Sequence, residues 1–249
     1  MQTELSFDGI RDLDPYAIGA VNVGLDRYYA SKRILDFCLA TIASIILSPF
    51  MFLIAILIKL DTSGPAFYVQ ERVGARRIRR NGISYWQQCI FRCYKFRTMI
   101  CNADPSIHRA YVKALIQNDC EKMAALQGQP TQITKLINDP RVTRFGRFLR
   151  KCSLDELPQL INILKGEMSL VGPRPAIPYE VEMYKPWQRR RLETIPGVTG
   201  LWQVTARSTA TFDEIIRLDI QYIEQQSLWL DLKILLKTPL IVISCKGAV

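Results

Sequence analysis

The run Ser153-Leu-Asp155-Glu156-Leu-Pro158-Gln-Leu-Ile-Asn-Ile-Leu sets two adjacent carboxylates where a helix should begin. Ser153 and Glu156 stand at capping-box spacing, and Pro158 is best accommodated within a first turn, so Asp155 and Glu156 are expected at the positive end of a helix. There the dipole favours negative charge by about 0.3–1 kcal/mol, and this alone accounts for acidic residues in a first turn. The neighbouring residues add to that account. A helix stop at Lys165-Gly166 leads into Gly172-Pro173-Arg174-Pro175, where an arginine stands between two prolines of fixed φ. A guanidinium held this way suits a bidentate grip on phosphate oxygens. Upstream, Arg141, Arg144, Arg147 and Arg150 recur every third residue over 138–151, which predicts an amphipathic helix with one basic stripe. Alone, such a stripe is usually a solvated face. Two carboxylates, an arginine stripe entering and a rigid arginine leaving would together hold a magnesium ion and a diphosphate. That is a phosphoryl-transfer site without a Walker loop, a motif this sequence lacks.

The elements that position these residues begin with an uncharged run of 22 positions, 37–58 (FCLATIASIILSPFMFLIAILI). As helix it would measure about 33 Å, enough for a bilayer core of about 30 Å. It follows 36 residues and no small-x-small cleavage site precedes Lys59, which argues against a cleaved signal. Ser48-Pro49 falls in its middle and predicts a sharp bend, with the Ser48 hydroxyl or a neighbouring helix as donor for the freed carbonyl. Basic residues flank both ends: Arg27, Lys32 and Arg33 before, Lys59, Arg72, Arg76, Arg77, Arg79 and Arg80 after. The positive-inside rule puts both flanks in the cytoplasm, which favours a re-entrant hairpin over a kinked span.

Beyond the turn signal at 61–65, residues 66–73 and 88–98 have the alternating, β-branched and aromatic character of a hairpin. The basic connector between them, with an Asn81-Gly82 turn, is expected to be a loop that is either solvated or in contact with headgroups. Residues 102–138 read as a polar insertion with one or two helices. Two further helices are expected near the end, in DEIIRLDIQYIEQ and LWLDLKILLKTPLIVISC, the second packing on the core or lying on a membrane surface.

The 249 residues, 49% hydrophobic and 22% charged, exclude a disordered or low-complexity chain. The net charge of +10 attracts anions without choosing among phosphates, acidic lipids and nucleic acid. Seven cysteines without a C-x-x-C and a single histidine, His108, encode neither a disulfide scaffold nor a zinc site. His108 falls in a polar stretch that reads as loop, which makes serine-histidine or cysteine-histidine chemistry a poor fit.

From Lys32 to about Thr238 the chain resembles the bacterial sugar transferases that act as monotopic polyprenyl-phosphate phosphoglycosyl transferases. LRKCSLDELPQLINILKGEMSLVGPRP carries the likeness almost without interruption, and KFRTM, PGVTGLWQV and SLWLDLKIL extend it. The resemblance implies a UDP-sugar donor, a polyprenyl phosphate acceptor, Mg²⁺, and UMP and polyprenyl-diphosphate-sugar as products. It also implies a re-entrant helix broken at a Ser-Pro pair, here Ser48 and Pro49. Transferred by position, the catalytic pair is Asp155, the covalent nucleophile, and Glu156, which serves the metal or a proton; both are the expected metal ligands. Phosphate contacts fall on Lys95, Arg150 and Arg174, and on Arg207, where Ala206 replaces the glycine common in relatives.

The expected fold is therefore α+β and mostly helical: a monotopic membrane protein with a re-entrant helix-break-helix hairpin, a small β-hairpin and amphipathic surface helices. Its expected divisions are an N-terminal leader (1–31), the membrane helix (32–60) and a cytoplasmic catalytic domain (61–249) with the insertion at 102–138. The expected location is the bacterial inner membrane, catalytic side in the cytoplasm, with anionic lipids as partners besides the two substrates. A homodimer is compatible with the sequence, though no residue demonstrates its contact. The rival readings are a non-catalytic scaffold holding acidic headgroups and a nucleic-acid binder. The membrane segment argues against the second, and no nucleic acid is expected as a partner.

Overall fold

The structure is a computed structural model that describes residues 17–20, 25–80, 83–127, 139–206 and 210–244. It is mostly helical with two small sheets. After strand β1 (Ala17–Ala20) comes a single helix, α1 (Asp26–Asp61), of 36 residues. Among the described residues it is the one helix long and apolar enough to cross a membrane, and only 11% of its most apolar 18-residue window is buried. Ile34, Ile45, Ile46, Phe52 and Leu60 are each two-thirds exposed or more. The expected separation into two halves is corrected, because helical structure continues through Pro49. Proline removes the N–H that the Ile45 carbonyl would accept. The Ser48 hydroxyl donates to that carbonyl at 2.9 Å, the substitution expected of it.

Both halves of α1 rest on the rest of the chain. Ala40 packs with Phe91, Cys93, Leu160 and Ile163, whereas Ile54 and Ile58 pack with Ala66, Phe96 and Leu149. Near the start, Lys32 forms a buried 2.7 Å ion pair with Asp231, whose carboxylate also accepts from the Tyr28 and Tyr222 hydroxyls. At the far end, the Arg97 guanidinium donates to the Thr62 and Ser63 carbonyls just past the last helical residue. This satisfies acceptors that a helix C-terminus leaves open.

The hairpin is longer than expected. Strands β2 (Phe67–Arg80) and β3 (Ile83–Phe96) pair without slip from Phe67–Phe96 to Arg80–Ile83, so the arginine-rich connector is strand rather than loop. The alternation of exposed Arg77 and Arg79 with half-buried Ile78 fits a two-faced strand better than a basic loop. The Asn81-Gly82 turn lies outside the described residues. β1 pairs with β3 only at residues 85–87, giving the order β1-β3-β2 and leaving the rest of that β3 edge to other partners.

Helices α2 (Ser106–Ile116) and α3 (Cys120–Gln127) form in the insertion as expected. His108 sits in α2 and not in a loop; its Nδ1 meets the Tyr179 hydroxyl at 2.7 Å, and burial lowers its pKa. Next come α4 (Arg144–Lys151), a 3₁₀ segment (Leu154–Gln159) and α5 (Leu160–Lys165), which ends on Gly166 in the left-handed region as its sequence signalled. They are followed by β4 (Ser169–Val171), α6 (Pro178–Glu182), a second 3₁₀ segment (Pro186–Leu192), β5 (Gly197–Thr199), α7 (Leu201–Thr205), α8 (Phe212–Gln225) and α9 (Leu228–Ser244). α8 opens with a capping box of Thr211 and Glu214, and α9 turns Trp229, Leu236 and Leu240 outward.

β4 and β5 form a parallel pair that unites two of the sequence motifs, SLVGPRP and PGVTG. The backbones approach so closely that a Cβ at Gly197 would lie 2.1 Å from the Gly172 nitrogen. Only glycine allows the Gly197 N–H to reach the Pro173 carbonyl and the Gly172 N–H to reach Thr199. This seam fixes the start of the Pro-Arg-Pro turn.

Candidate active site

The acidic pair stands on a tighter turn than the sequence suggested. Ser153 is not a side-chain cap: it adopts φ +55°, and its N–H bonds the Arg150 carbonyl to close α4. Asp155 and Glu156 then occupy the 3₁₀ segment, which gives way to α-helix at Leu160. Pro158 explains the difference, since an α-helix through this point would need its missing N–H and would press its ring on the Leu154 carbonyl. A non-glycine residue in the left-handed region is a local strain of about 1 kcal/mol or more, held here by the two segments it joins.

Three elements converge on the pair. Lys95, next to the end of β3, donates to Glu156 Oε1 at 2.9 Å. Arg174, from the Pro-Arg-Pro turn, reaches the same oxygen at 2.8 Å. Arg150, at the end of α4, faces Asp155 and steadies itself by donating from Nε to the Thr98 hydroxyl at 2.9 Å. Lys95, Arg150 and Arg174 are thus brought together with Asp155 and Glu156 as the motifs suggested. Arg207 lies outside the described residues.

The two carboxylates differ. Burial alone would raise the Glu156 carboxyl, but Arg174 and Lys95 more than offset this and hold it well below the usual carboxylate range. Glu156 in turn raises the Arg174 guanidinium against its own desolvation. Asp155 is pushed upward, first by burial and then by the neighbouring Glu156 charge, with Lys95, Arg150 and Arg174 only partly compensating. Among the described residues its carboxylate accepts no hydrogen bond and forms no ion pair. The result is one carboxylate locked as a counter-ion and another left unbonded beside it.

The arginine stripe does not survive folding as a unit. Arg141 precedes α4, is buried, and pairs with Asp139 at 2.6 Å while also donating to the Asp104 carbonyl. Arg144 and Arg147 are exposed beside Phe148, and only Arg150 turns inward. Thr143 caps α4 by accepting from the Gly146 N–H, so the helix begins after Arg141 and the three-residue spacing loses its common face.

Two supports were not foreseen. Arg72 on β2 is buried and donates to the Pro175 carbonyl at 2.8 Å, and Arg191 donates to the Arg174 carbonyl at 3.2 Å while pairing with buried Asp219. Between them they brace the turn that carries Arg174. Arg72 follows Glu71 among the alternating residues of a strand and carried no signal beyond its charge; for Thr98 the signal was membership of KFRTM.

No cluster of three or more His, Cys, Asp or Glu side chains suited to a metal is present among the described residues. A magnesium ion does not require one, since it commonly takes one or two carboxylates and completes its shell with substrate phosphates and water. The unbonded, upward-shifted Asp155 beside ionised Glu156 fits that habit, as a divalent cation would relieve the repulsion between them.

The family model described as bacterial sugar transferase matches residues 27–245. The galactosyl transferase CpsE of Streptococcus agalactiae serotype III is 40% identical over 98% of this chain and 51% of its own length. The undecaprenyl-phosphate galactose phosphotransferase of Salmonella typhimurium is 41% identical over 87% of this chain and 41% of its own. The exopolysaccharide production protein ExoY of Rhizobium meliloti is 40% identical over 84% of this chain and 83% of its own. This chain therefore spans about half or less of CpsE and the Salmonella protein, but most of ExoY.

Proposed function

The chain belongs to the bacterial sugar transferase family, and on that premise we propose that it moves a sugar-1-phosphate from a UDP-sugar to a polyprenyl phosphate. UMP would be the first product, and the lipid-linked diphosphosugar would start exopolysaccharide, capsule or O-antigen synthesis. The observation that carries this reading is the inequality of the acidic pair: Glu156 is fixed between Lys95 and Arg174, whereas Asp155 is unbonded and available.

In this proposal an Asp155 carboxylate oxygen attacks the sugar-side phosphorus of the donor. The bond from that phosphorus to the bridging oxygen breaks, UMP leaves, and the phosphosugar remains on Asp155 as an acyl phosphate. An oxygen of the polyprenyl phosphate then attacks the same phosphorus, and the Asp155 carboxylate departs. Arg150 and Arg174 would bind phosphate oxygens, with Lys95 beside them, a role supported by their convergence on the acidic pair. Asp155 and Glu156 are the residues that would hold Mg²⁺, which when bound supplies charge neutralisation for the diphosphate.

Incubating membranes that contain the protein with a panel of UDP-sugars, Mg²⁺ and polyprenyl phosphate tests this through UMP release. At least one donor should release UMP. Without a divalent cation the Asp155 carboxyl should titrate above the ordinary carboxylate range, because burial and the Glu156 charge raise it. Absence of UMP with every donor would instead favour the scaffold reading.

The membrane arrangement belongs to the same proposal. α1 enters and leaves the inner membrane from the cytoplasmic side, with the catalytic residues on that side. In support, both its start and its end are tied to one body, through Lys32–Asp231 and through Arg97 at Thr62 and Ser63, while its apolar flank stays uncovered. The outward Trp229, Leu236 and Leu240 of α9, with exposed Lys233 and Lys237, suit the same lipid surface. Cysteines placed at Arg27 and Ser63 in a cysteine-free background should both resist a membrane-impermeant maleimide in intact cells and both react in inverted vesicles. Labelling of either one in intact cells would remove the re-entrant arrangement.

A further inference from the structure

Asn162 is 0% exposed on α5, three residues into the helix that continues the acidic 3₁₀ segment. Its side-chain amide acts as if it were part of a sheet. Oδ1 accepts from the Tyr94 N–H at 3.0 Å, and Nδ2 donates to the Arg92 carbonyl at 2.7 Å. Those two groups lie on the same edge of β3, since residues i and i+2 of a strand direct their backbone groups the same way. They belong to the part of β3 that β1, paired only at 85–87, leaves unpaired. The second Nδ2 hydrogen goes to Glu167 Oε2 at 2.6 Å, which fixes the amide's orientation and leaves neither of its donor hydrogens free.

The next residue after Tyr94 is Lys95, which pairs with Glu156, and Thr98 a little further on receives Arg150. Beside the Lys95–Glu156 ion pair, the bond between α5 and β3 is thus a second, uncharged link between the helix that continues the acidic segment and the strand that carries its cationic partner. We infer that Asn162 is a positioning residue for the reaction: its amide fixes β3 against the acidic segment and so sets where Lys95 stands relative to Asp155 and Glu156. The inference rests on the reading of this cluster as a phosphoryl-transfer site and identifies what holds its geometry. Displacement of a positioned group by about 1 Å can cost about 10²-fold in rate, so the effect should fall on turnover more than on donor affinity.

The test uses the full-length protein in membranes or detergent and four variants: Asn162→Ser, Glu167→Ala, Lys95→Ala and the Asn162→Ser/Lys95→Ala double. Asn162→Ser should lower kcat for UMP release by about 10²-fold with a much smaller change in donor KM. Glu167→Ala, which loosens the amide without removing it, should give a smaller loss in the same direction. In the Lys95→Ala background the Asn162 substitution should cost little more, because residues that act through one another are not additive. Additive losses would overturn the inference, since a merely structural residue destabilises both backgrounds alike.

Hydrogen exchange gives a reading that does not depend on activity. The peptide covering 92–97 should lose amide protection in Asn162→Ser and in Glu167→Ala, while the strand pairing at 85–90 retains it. Unchanged protection at 92–97 would overturn the inference even if activity fell. If the unsubstituted protein released no UMP, the proposed reaction would fail, and hydrogen exchange would still decide whether Asn162 holds β3. If Asn162→Ser does not fold, Glu167→Ala, combined with Lys95→Ala, supplies both measurements.

Discussion

Asp155→Asn should abolish UMP release, lowering kcat by about 10⁶-fold, the scale seen when a nucleophile that works with its neighbours is removed. The substitution preserves shape and removes only the negative charge and its nucleophilicity. It also separates catalysis from folding, because the two should move in opposite directions. In the folded protein the Asp155 carboxyl is raised by burial and by Glu156, so its neutral form is the one the fold prefers. A group whose folded pKa lies above its unfolded value contributes stability that is present at low pH and lost as pH rises. Asparagine imitates the neutral form at every pH, so at neutral pH the variant should melt at the same temperature as the parent or higher. Intact mass after incubation with donor alone completes the test. The parent should gain one phosphosugar and the variant none, and a variant that still released UMP would remove Asp155 from the chemistry.

Arg174→Ala should cost about 10²–10³-fold in kcat, comparable to removing one donor that stabilises developing charge. Two effects combine. A planar fork held between two prolines is lost, and Glu156 keeps only Lys95 as counter-ion, so its carboxyl should rise toward the ordinary range. Arg174→Lys should recover only a small part, since an ammonium keeps the charge without the bidentate geometry. Single-turnover kinetics with saturating donor distinguish this from weakened binding. A rise in KM with unchanged kcat would make Arg174 a binding residue only.

Much of this site was legible because it lies in short, strongly biased runs. Asp155 and Glu156 and Arg174 between prolines announced themselves by type and spacing, Arg150 and Lys95 were singled out by the family resemblance, and the structure brings them together. The helix stop at Gly166 and the carbonyl taken by Ser48 were also readable, as each depends on one residue's covalent geometry. What was not readable depended on contacts between distant segments. Periodicity gave Arg141 and Arg150 one face, but Asp139 captures the first and Thr98 receives the second. The capping-box pattern at Ser153 lost to Pro158, which cannot be accommodated at that depth in an α-helix. The β4–β5 seam was invisible because three-residue strands carry almost no pattern, and Asn162 was passed over as one polar residue in an apolar helix.

The ties at the start of α1 make the apolar helix more than a handle. Arg33 donates to the Ile163 and Leu164 carbonyls, closing the far end of the helix whose other end carries the acids, and Lys32 neutralises Asp231 in the interior. A truncation begun after Asp61 would therefore strip α5 of its terminal partner and leave the buried Asp231 carboxylate with Tyr222 but without Lys32 and Tyr28. A fragment trimmed in this way should not keep an intact centre, because the apolar helix is part of what holds it.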